Sequence, residues 1–370
     1  MKKHRWLAGL IVLVALIALV VWGRNRIHFD FAVFWTQVLK ANWGLIVLGI
    51  GCIYAAYAFR SMRWAMLIRH NKKVGPLSLT GTQVIGFTAV ALIGRVADLV
   101  RPYLVAKKTS LTVSSQIAVY IVERLFDAGS MALIFSVAML SVPQVDIDRV
   151  LLRSGSLAVL TAHHPALAAF ATRYSGLALT VLGGLFLLLV RLAGNAVAAF
   201  LEHSIGLLSK RAGHAVAQKV RAFHAGLDTM RSFSDFAVTA SLSLAMWILI
   251  TVAYWEGCLA FTASPELAGA PFSRCVLLMI ASGGASIFQL PVLGWFTQIG
   301  IVAAAISGVL GASAEAATAC AAILLLVTFL SIIPAGLLWA RFEHVSLRKI
   351  AAESEQAEES FEDAQDTAGA

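Results

Sequence analysis

Two short stretches carry side chains able to hold a phosphate or move a proton. "GRVADLVRPYLVAKK", residues 94–108, crowds Arg95, Asp98, Arg101, Lys107 and Lys108 between two apolar runs. "VERLFD", residues 122–127, sets Glu123 and Asp127 four apart on one helix face, with Arg124 in reach of Asp127 at i,i+3. An arginine's planar fork of donors matches a phosphate, and a nearby carboxylate keeps the fork oriented when no anion is bound. Arg95, Asp98, Arg101, Glu123, Arg124 and Asp127 are therefore the candidate phosphate-binding set. Glu123 and Asp127 also have the form of an acid–base pair. No nucleophile, metal or cofactor motif stands beside them, so no catalytic residue is assigned and no enzyme activity is expected.

Other chemistries find little support. The sequence has no G-x-G-x-x-G, P-loop or H-E-x-x-H pattern, so neither a cofactor nor a metal is expected. Cys52, Cys258, Cys275 and Cys320 lie in or beside apolar segments without CxxC spacing and read as small core residues. His163 and His164 have no third ligand nearby.

The elements that must position these groups are set by hydropathy. Of 370 residues, 59% are hydrophobic and 13% charged, against about 25% charged in soluble domains. Apolar runs at 6–22, 43–59, 117–141, 174–192, 236–262 and 315–340 are long enough to cross a bilayer as helices. Lys2, Lys3 and Arg5 precede the first run, which lacks a small-residue cleavage site and reads as a retained span. Two further stretches are broken. Residues 79–93 hold Gly81, Thr82, Gln83 and Gly86, and residues 275–311 hold Gly283, Gly284, Gln289, Pro291, Gly294, Gln298, Gly300 and Gly308.

Basic residues choose the topology. If both broken stretches re-enter on the side they came from, 21 of the 29 Lys and Arg fall inside and seven outside, with both termini cytoplasmic. If 79–93 crosses instead, the bases of 95–116 and 191–235 fall outside, against the positive-inside rule. The expected fold is an all-α polytopic membrane protein with six full transmembrane helices and two re-entrant segments. The two enter from opposite faces, the mark of an inverted repeat around a cavity near the bilayer midplane. The net charge of +9 thus reads as membrane orientation, not as a nucleic-acid surface.

Gln83, Gln289, Pro291, Gly294 and Gln298 are expected to line that cavity, the two later glutamines serving also to satisfy freed backbone groups. The charges of "VERLFD" have two readings: interfacial anchors that lock helices together, or the lining of a headgroup path. Glu256, in "YWEG", reads as a solvated carboxylate in the outer aromatic belt. Residues 195–233 carry Val197, Phe200, Leu201, Ile205 and Leu208 at helical spacing beside several bases. They suit helices lying on the cytoplasmic leaflet or a solvated hairpin. The transmembrane domain is drawn as 1–350. The tail, 351–370, has seven acids and no base, and is expected to be disordered.

The arrangement of these motifs resembles the transmembrane region of bacterial lysylphosphatidylglycerol synthases and their stand-alone, flippase-like relatives. That family shows an Arg-Trp pair after the second span, here Arg63-Trp64, which adds Arg63 to the candidate cavity lining. It shows P-x-R-x-G-E-x-x-R-P, here "IGRVADLVRP". Arg95, Arg101 and Pro102 match, while Ile93, Ala97 and Asp98 replace the first Pro, the Gly and the Glu. Glu123, Arg124 and Asp127 match the family's ERxxD, and "LPVLGWFTQIG" matches a Pro/Gly-rich segment through Pro291, Gly294 and Gly300. The resemblance implies an inner-membrane protein that binds or translocates an anionic phospholipid or isoprenoid lipid. It also admits a non-transporting partner of an envelope-synthesis enzyme. After its last span the chain has no room for the family's aminoacyl-transfer domain, so that activity is not expected of it.

Overall fold

The computed structural model describes residues 29–141, 165–206, 209, 213, 214, 216, 217, 220, 232–286 and 293–343. The expected first span, His163-His164, Gln289, Pro291 and the acidic tail lie outside the described residues, as does the side chain of Arg95.

The described secondary structure is helical throughout. In chain order the helices are α1 (Phe31–Leu39), α2 (Trp43–Ile68), α3 (Thr80–Ile93), α4 (Val100–Thr109), α5 (Val113–Leu140) and α6 (Pro165–Gly206). There follow α7 (Phe233–Leu259), the short α8 (Pro265–Ala268), α9 (Phe272–Ala285), α10 (Leu293–Leu310), α11 (Ala314–Leu325) and α12 (Ile332–Phe342). A 3-10 turn, Arg95–Leu99, links α3 to α4, and a π turn, Leu326–Leu330, links α11 to α12. Helix starts are marked by side chains that accept the orphan N–H groups: Asn42 for α2, Thr112 for α5, Ser232 for α7 and Ser313 for α11. Trp43–Ile68, Phe233–Leu259 and Ala314–Phe342 are each long and apolar enough to cross a membrane. α5, at 28 residues, has the length as well but carries the three charges of "VERLFD".

The axis of the molecule is the pair α2 and α7, packed along their whole lengths and antiparallel. The N–H of Asn42, at the start of α2, donates to the carbonyl of Ala260, just past the end of α7 (2.8 Å). Near the other end, Arg63 meets Ser243 (2.7 Å), and beyond it Arg69 pairs with Asp235.

Each of these spans is followed by a hairpin. α3 runs inward and the chain reverses at Gly94, whose φ of 93° suits glycine. α4 then returns beside α3: Arg101 lies against Gly86, fifteen positions earlier, and donates to Gln83 (3.4 Å). A Cβ at Gly86 would overlap Arg101 Cγ, so only glycine lets the arginine pass there. α9 and α10 make the second hairpin, with Gln298 donating to Ser282 across its arms (2.9 Å). Because α2 and α7 are antiparallel, the hairpins enter from opposite ends, and near their tips Trp295 Nε1 donates to the carbonyl of Ala91 (3.2 Å). Packing is reciprocal. α3 lies on α12, the last helix of the second half, and α9 on α5, the last of the first; α4 lies on α5, and α10 on α11. The expected inverted repeat is thus visible in the helix contacts, although the halves share no evident sequence identity.

Several boundaries differ from expectation. α2 continues to Ile68, so Arg60 and Arg63 stand inside a helix and not in the loop after residue 59. Carboxylates from α5 face them, and the helix persists where hydropathy falls. The first re-entrant segment extends to Thr109, and the whole of α4, with Arg101, is its returning arm. The last span is interrupted by the π turn four residues before Pro334, which cannot supply an N–H to the preceding turn. Tyr54 donates to the carbonyl of Ser331 (2.9 Å) and Thr88 to that of Ile332 (3.3 Å). The span expected at 174–192 runs on past a kink at Ala193 through the first part of the 195–233 segment, with Gly194 and Ala198 buried.

Candidate functional site

Of the charged residues singled out in the sequence, Arg63, Arg101, Glu123, Arg124 and Asp127 converge on one buried cluster, joined by Arg60. Arg60 and Arg63 are one turn apart on α2, and Glu123 and Asp127 one turn apart on α5, so the two pairs face each other. Arg63, fully buried, bridges both carboxylates: Nη2 donates to Glu123 Oε1 (2.5 Å) and Nη1 to Asp127 Oδ1 (2.6 Å). Trp247 Nε1 also donates to Asp127 Oδ1 (3.1 Å). Arg101 Nη1 donates to Glu123 Oε2 (3.2 Å) from the returning arm of the hairpin. Arg124 Nη2 lies 2.8 Å from Asp127 Oδ2, and Arg60 Nη1 3.6 and 3.7 Å from the two carboxylates.

Aromatic faces complete the wall. Arg60 and Arg101 both lie over the ring of Phe87, at 4.6 and 4.5 Å from its centroid, and Arg101 and Arg124 over Tyr120. Such faces stabilise a guanidinium shielded from water. Trp64, the second residue of the Arg-Trp pair, is buried and donates to Gln116 Oε1 (2.9 Å), tying α2 to the first turn of α5. Four guanidinium groups thus contact two carboxylates, and with Asp98 counted beside Arg124 the cluster still has more cations than anions.

Beside the cluster a cavity of about 160 Å³ opens between the two halves. Its cationic end is formed by Arg60, Arg124 and Asp98, with Trp247 level with Arg60 across the α2–α7 pair. From there Tyr57, Ala56 and Ile53 descend α2 while Ile250 and Tyr254 ascend α7. α9 contributes Met279, Ser282 and Gly283, and the π turn contributes Thr328 and Phe329. Nε and Nη1 of Arg60 and Nε of Arg124 are buried and make no hydrogen bond among the described residues.

The expected residues therefore divide into two layers. Asp98 and Arg124 stand on the cavity wall. Arg101, Glu123 and Asp127 stand behind it, in ion pairs. Arg63 and Gln83, expected as lining, are instead fully buried in or against the ion-pair network, because their depth places them between helices. Gln298 is likewise buried and reaches the cavity only through Ser282; Gly294 is buried away from the wall. Glu256 is not in a solvated belt: it is 8% exposed, with Cys52 Sγ 3.8 Å from its Oε2. Arg60 was missed because it ends the hydropathy run. Its signal is the Arg-x-x-Arg spacing with Arg63, which puts both on one helix face. Among the described residues no group of three His, Cys, Asp or Glu side chains is placed to hold a metal.

The sequence matches the family model described as "Lysylphosphatidylglycerol synthase TM region" over residues 6–336. The match covers most of the 370 residues, and the chain belongs to this family of membrane domains. No curated protein and no solved structure matches the chain.

Proposed function

From that family membership, we propose that the chain binds the phosphate of an anionic phospholipid or isoprenoid lipid between its two hairpins and carries the headgroup across a bacterial inner membrane. One observation carries the reading. Arg60 and Arg124 line a cavity at depth, keep uncommitted donors, and belong to a cluster with more guanidinium groups than carboxylates. A buried cation whose donors lack acceptors is costly, and an entering phosphate supplies both the charge and the acceptors. Glu123 and Asp127 hold the arginines in place, and no catalytic step is ascribed to them. The distribution of Lys and Arg supports both termini lying on the cytoplasmic side, which reporter fusions at either end would check.

The test is leaflet exchange. Full-length protein is reconstituted in vesicles containing fluorescent phosphatidylglycerol, and exchange is followed by quenching the outer leaflet. Exchange above that of empty vesicles is expected, and Arg60→Gln should lower it about tenfold, the loss of one charge-assisted contact of about 1.5 kcal/mol or more. Exchange no faster than in empty vesicles, for phosphatidylglycerol and for an isoprenoid phosphate alike, would overturn the proposal.

A further inference from the structure

The short helix α1 carries no charged side chain and takes no part in the cluster or the cavity. Its two ends are fixed to two spans. At one end the N–H of Asp30, the N-cap, donates to Glu315 Oε1 at the start of α11 (3.3 Å). Beyond the other end the N–H of Asn42 donates to the carbonyl of Ala260, just past α7 (2.8 Å). Both anchor points lie at one end of the bundle, because α7 and α11 run antiparallel. Cys258 and Cys320 meet there, Sγ to Sγ 4.0 Å, while Ala253 and Val327 both lie against Gly49. Glu315 is five residues from Cys320 and Ala260 two from Cys258, levels about 5 Å apart along the bundle. The nine residues of α1 are about 14 Å long. α1 therefore lies across the ends of the spans and not along them.

Three strips run along it. Phe34 and Val38 pack on the core beside α11, with Ala41 buried just past the end. Phe31, Trp35 and Leu39, at i, i+4 and i+8, are 62, 58 and 76% exposed. Ala32, Thr36 and Lys40, about 100° further round, are exposed too and carry the polar groups. Val33 is the one large apolar residue exposed outside the strip. Past the bend the interval of four continues onto α2 with Trp43 and Val47, both exposed on a helix long and apolar enough to cross a membrane.

We infer that α1 is an interfacial helix. Its strip of Phe31, Trp35 and Leu39 is seated at the boundary of headgroups and acyl chains in the leaflet at this end, with Thr36 and Lys40 in water. An apolar strip beside a polar one is the pattern of helices that lie in that boundary, and indoles favour it. The strip is also continuous with the lipid-facing side of α2. Its attraction is apolar: Asp30 is spent on the N–H groups of Ala32 and Val33, and Lys40 is a single base. The partner is thus a lipid surface of any headgroup charge, unlike the ligand of the arginine cluster. Held there, α1 pins the ends of α7 and α11 at the depth of the boundary.

Single nitroxide labels on the full-length protein in vesicles test this. Cys52→Ala removes the one partly exposed thiol, since Cys258, Cys275 and Cys320 are fully buried. Labels are then introduced by Phe31→Cys, Trp35→Cys and Leu39→Cys on one strip, and by Ala32→Cys, Thr36→Cys and Lys40→Cys on the other. Collision with oxygen, which concentrates in lipid, is compared with collision with a water-soluble nickel chelate. The first three labels should favour oxygen and lie about 5–10 Å into the boundary, and the other three should favour nickel. The alternation should be the same in phosphatidylcholine and in phosphatidylglycerol vesicles. Should labelling disturb the fold, lipids with brominated chains test the protein without labels. Trp35→Phe should then lower the share of emission from the nine tryptophans that bromine quenches. Nickel access at all six positions, or an unchanged quenched share, places the strip in water and overturns the inference. Oxygen access at all six overturns it by placing α1 within the hydrocarbon. Shielding of the first three from both reagents overturns it by showing that protein covers the strip, a second copy or the span expected at 6–22. An alternation confined to phosphatidylglycerol overturns it by making the contact one of charge. None of these outcomes touches the phosphate reading, which leaflet exchange tests separately.

Discussion

In the first hairpin Gln83 on the inward arm meets Arg101 on the returning arm; in the second Ser282 meets Gln298. Both reversals are closed by a polar contact across the arms, at depth, between residues sixteen to eighteen positions apart. The chemistry around those contacts is opposite. Arg101 is tied to Glu123 and so to the ion pairs of α2 and α5. Ser282 and Gln298 are a neutral hydroxyl and a neutral amide. The glycines differ too. Gly86 is pressed by Arg101, whereas a Cβ at Gly284 would meet nothing within 4 Å. A hairpin of this kind can thus be closed by a polar latch with or without charge.

The largest effect should come from breaking the charged side of this comparison. Asp127→Ala takes from Arg124 its closest carboxylate and from Arg63 one of its two. It should cost about 3–5 kcal/mol of stability, the penalty for removing one member of a buried ion pair. Ser282→Ala in the neutral hairpin should cost only about 0.5–1.5 kcal/mol, the net value of an ordinary hydrogen bond. Reversible denaturation in mixed micelles measures both. Equal losses would mean that the two latches do the same structural work, and the comparison would fail.

A smaller effect separates the glycines. Gly86→Ala forces a methyl group into Arg101 and should destabilise by about 1–3 kcal/mol, the usual range for overpacking. Gly284→Ala enters open space within a helix and should be neutral or slightly stabilising, by about 0.5–1 kcal/mol. The same denaturation measurement decides. A tolerated alanine at position 86 would show that α4 can move away from α3 at little cost.

Much of this architecture was legible because lipid imposes long apolar runs, and because Gly, Pro and Gln interrupt two of them. The trio Glu123, Arg124 and Asp127 was legible because charges stand out in such a run. Arg60 was not: it falls where hydropathy drops, and the groups that face it, the α5 carboxylates and the Phe87 ring, are distant in sequence. Tyr254 was hidden for the opposite reason, since a phenol in an apolar run reads as one more large core residue. The roles of Gln83 and Arg63 depended on depth, which periodicity does not report. The inverted repeat lacked a residue-level signature, and it emerges from the antiparallel contacts of α2 with α7.

The smallest predicted effect lies where the hairpins meet. Trp295 donates to the carbonyl of Ala91 in the last turn of α3, a group with no partner of its own in the helix. Trp295→Phe keeps most of the ring's apolar packing and removes the donor, so it should cost about 0.5–1.5 kcal/mol. Its effect on transport should have the opposite sign to that of Arg60→Gln. If the tips part when the cavity changes its open side, the bond exists in one state only, and losing it lowers the work of leaving that state. Leaflet exchange in reconstituted vesicles should then be unchanged or faster, by up to about tenfold for 1.4 kcal/mol. Slower exchange with the stability otherwise intact would show that the tips act as a fixed strut, and that the two halves move, if at all, about a different contact.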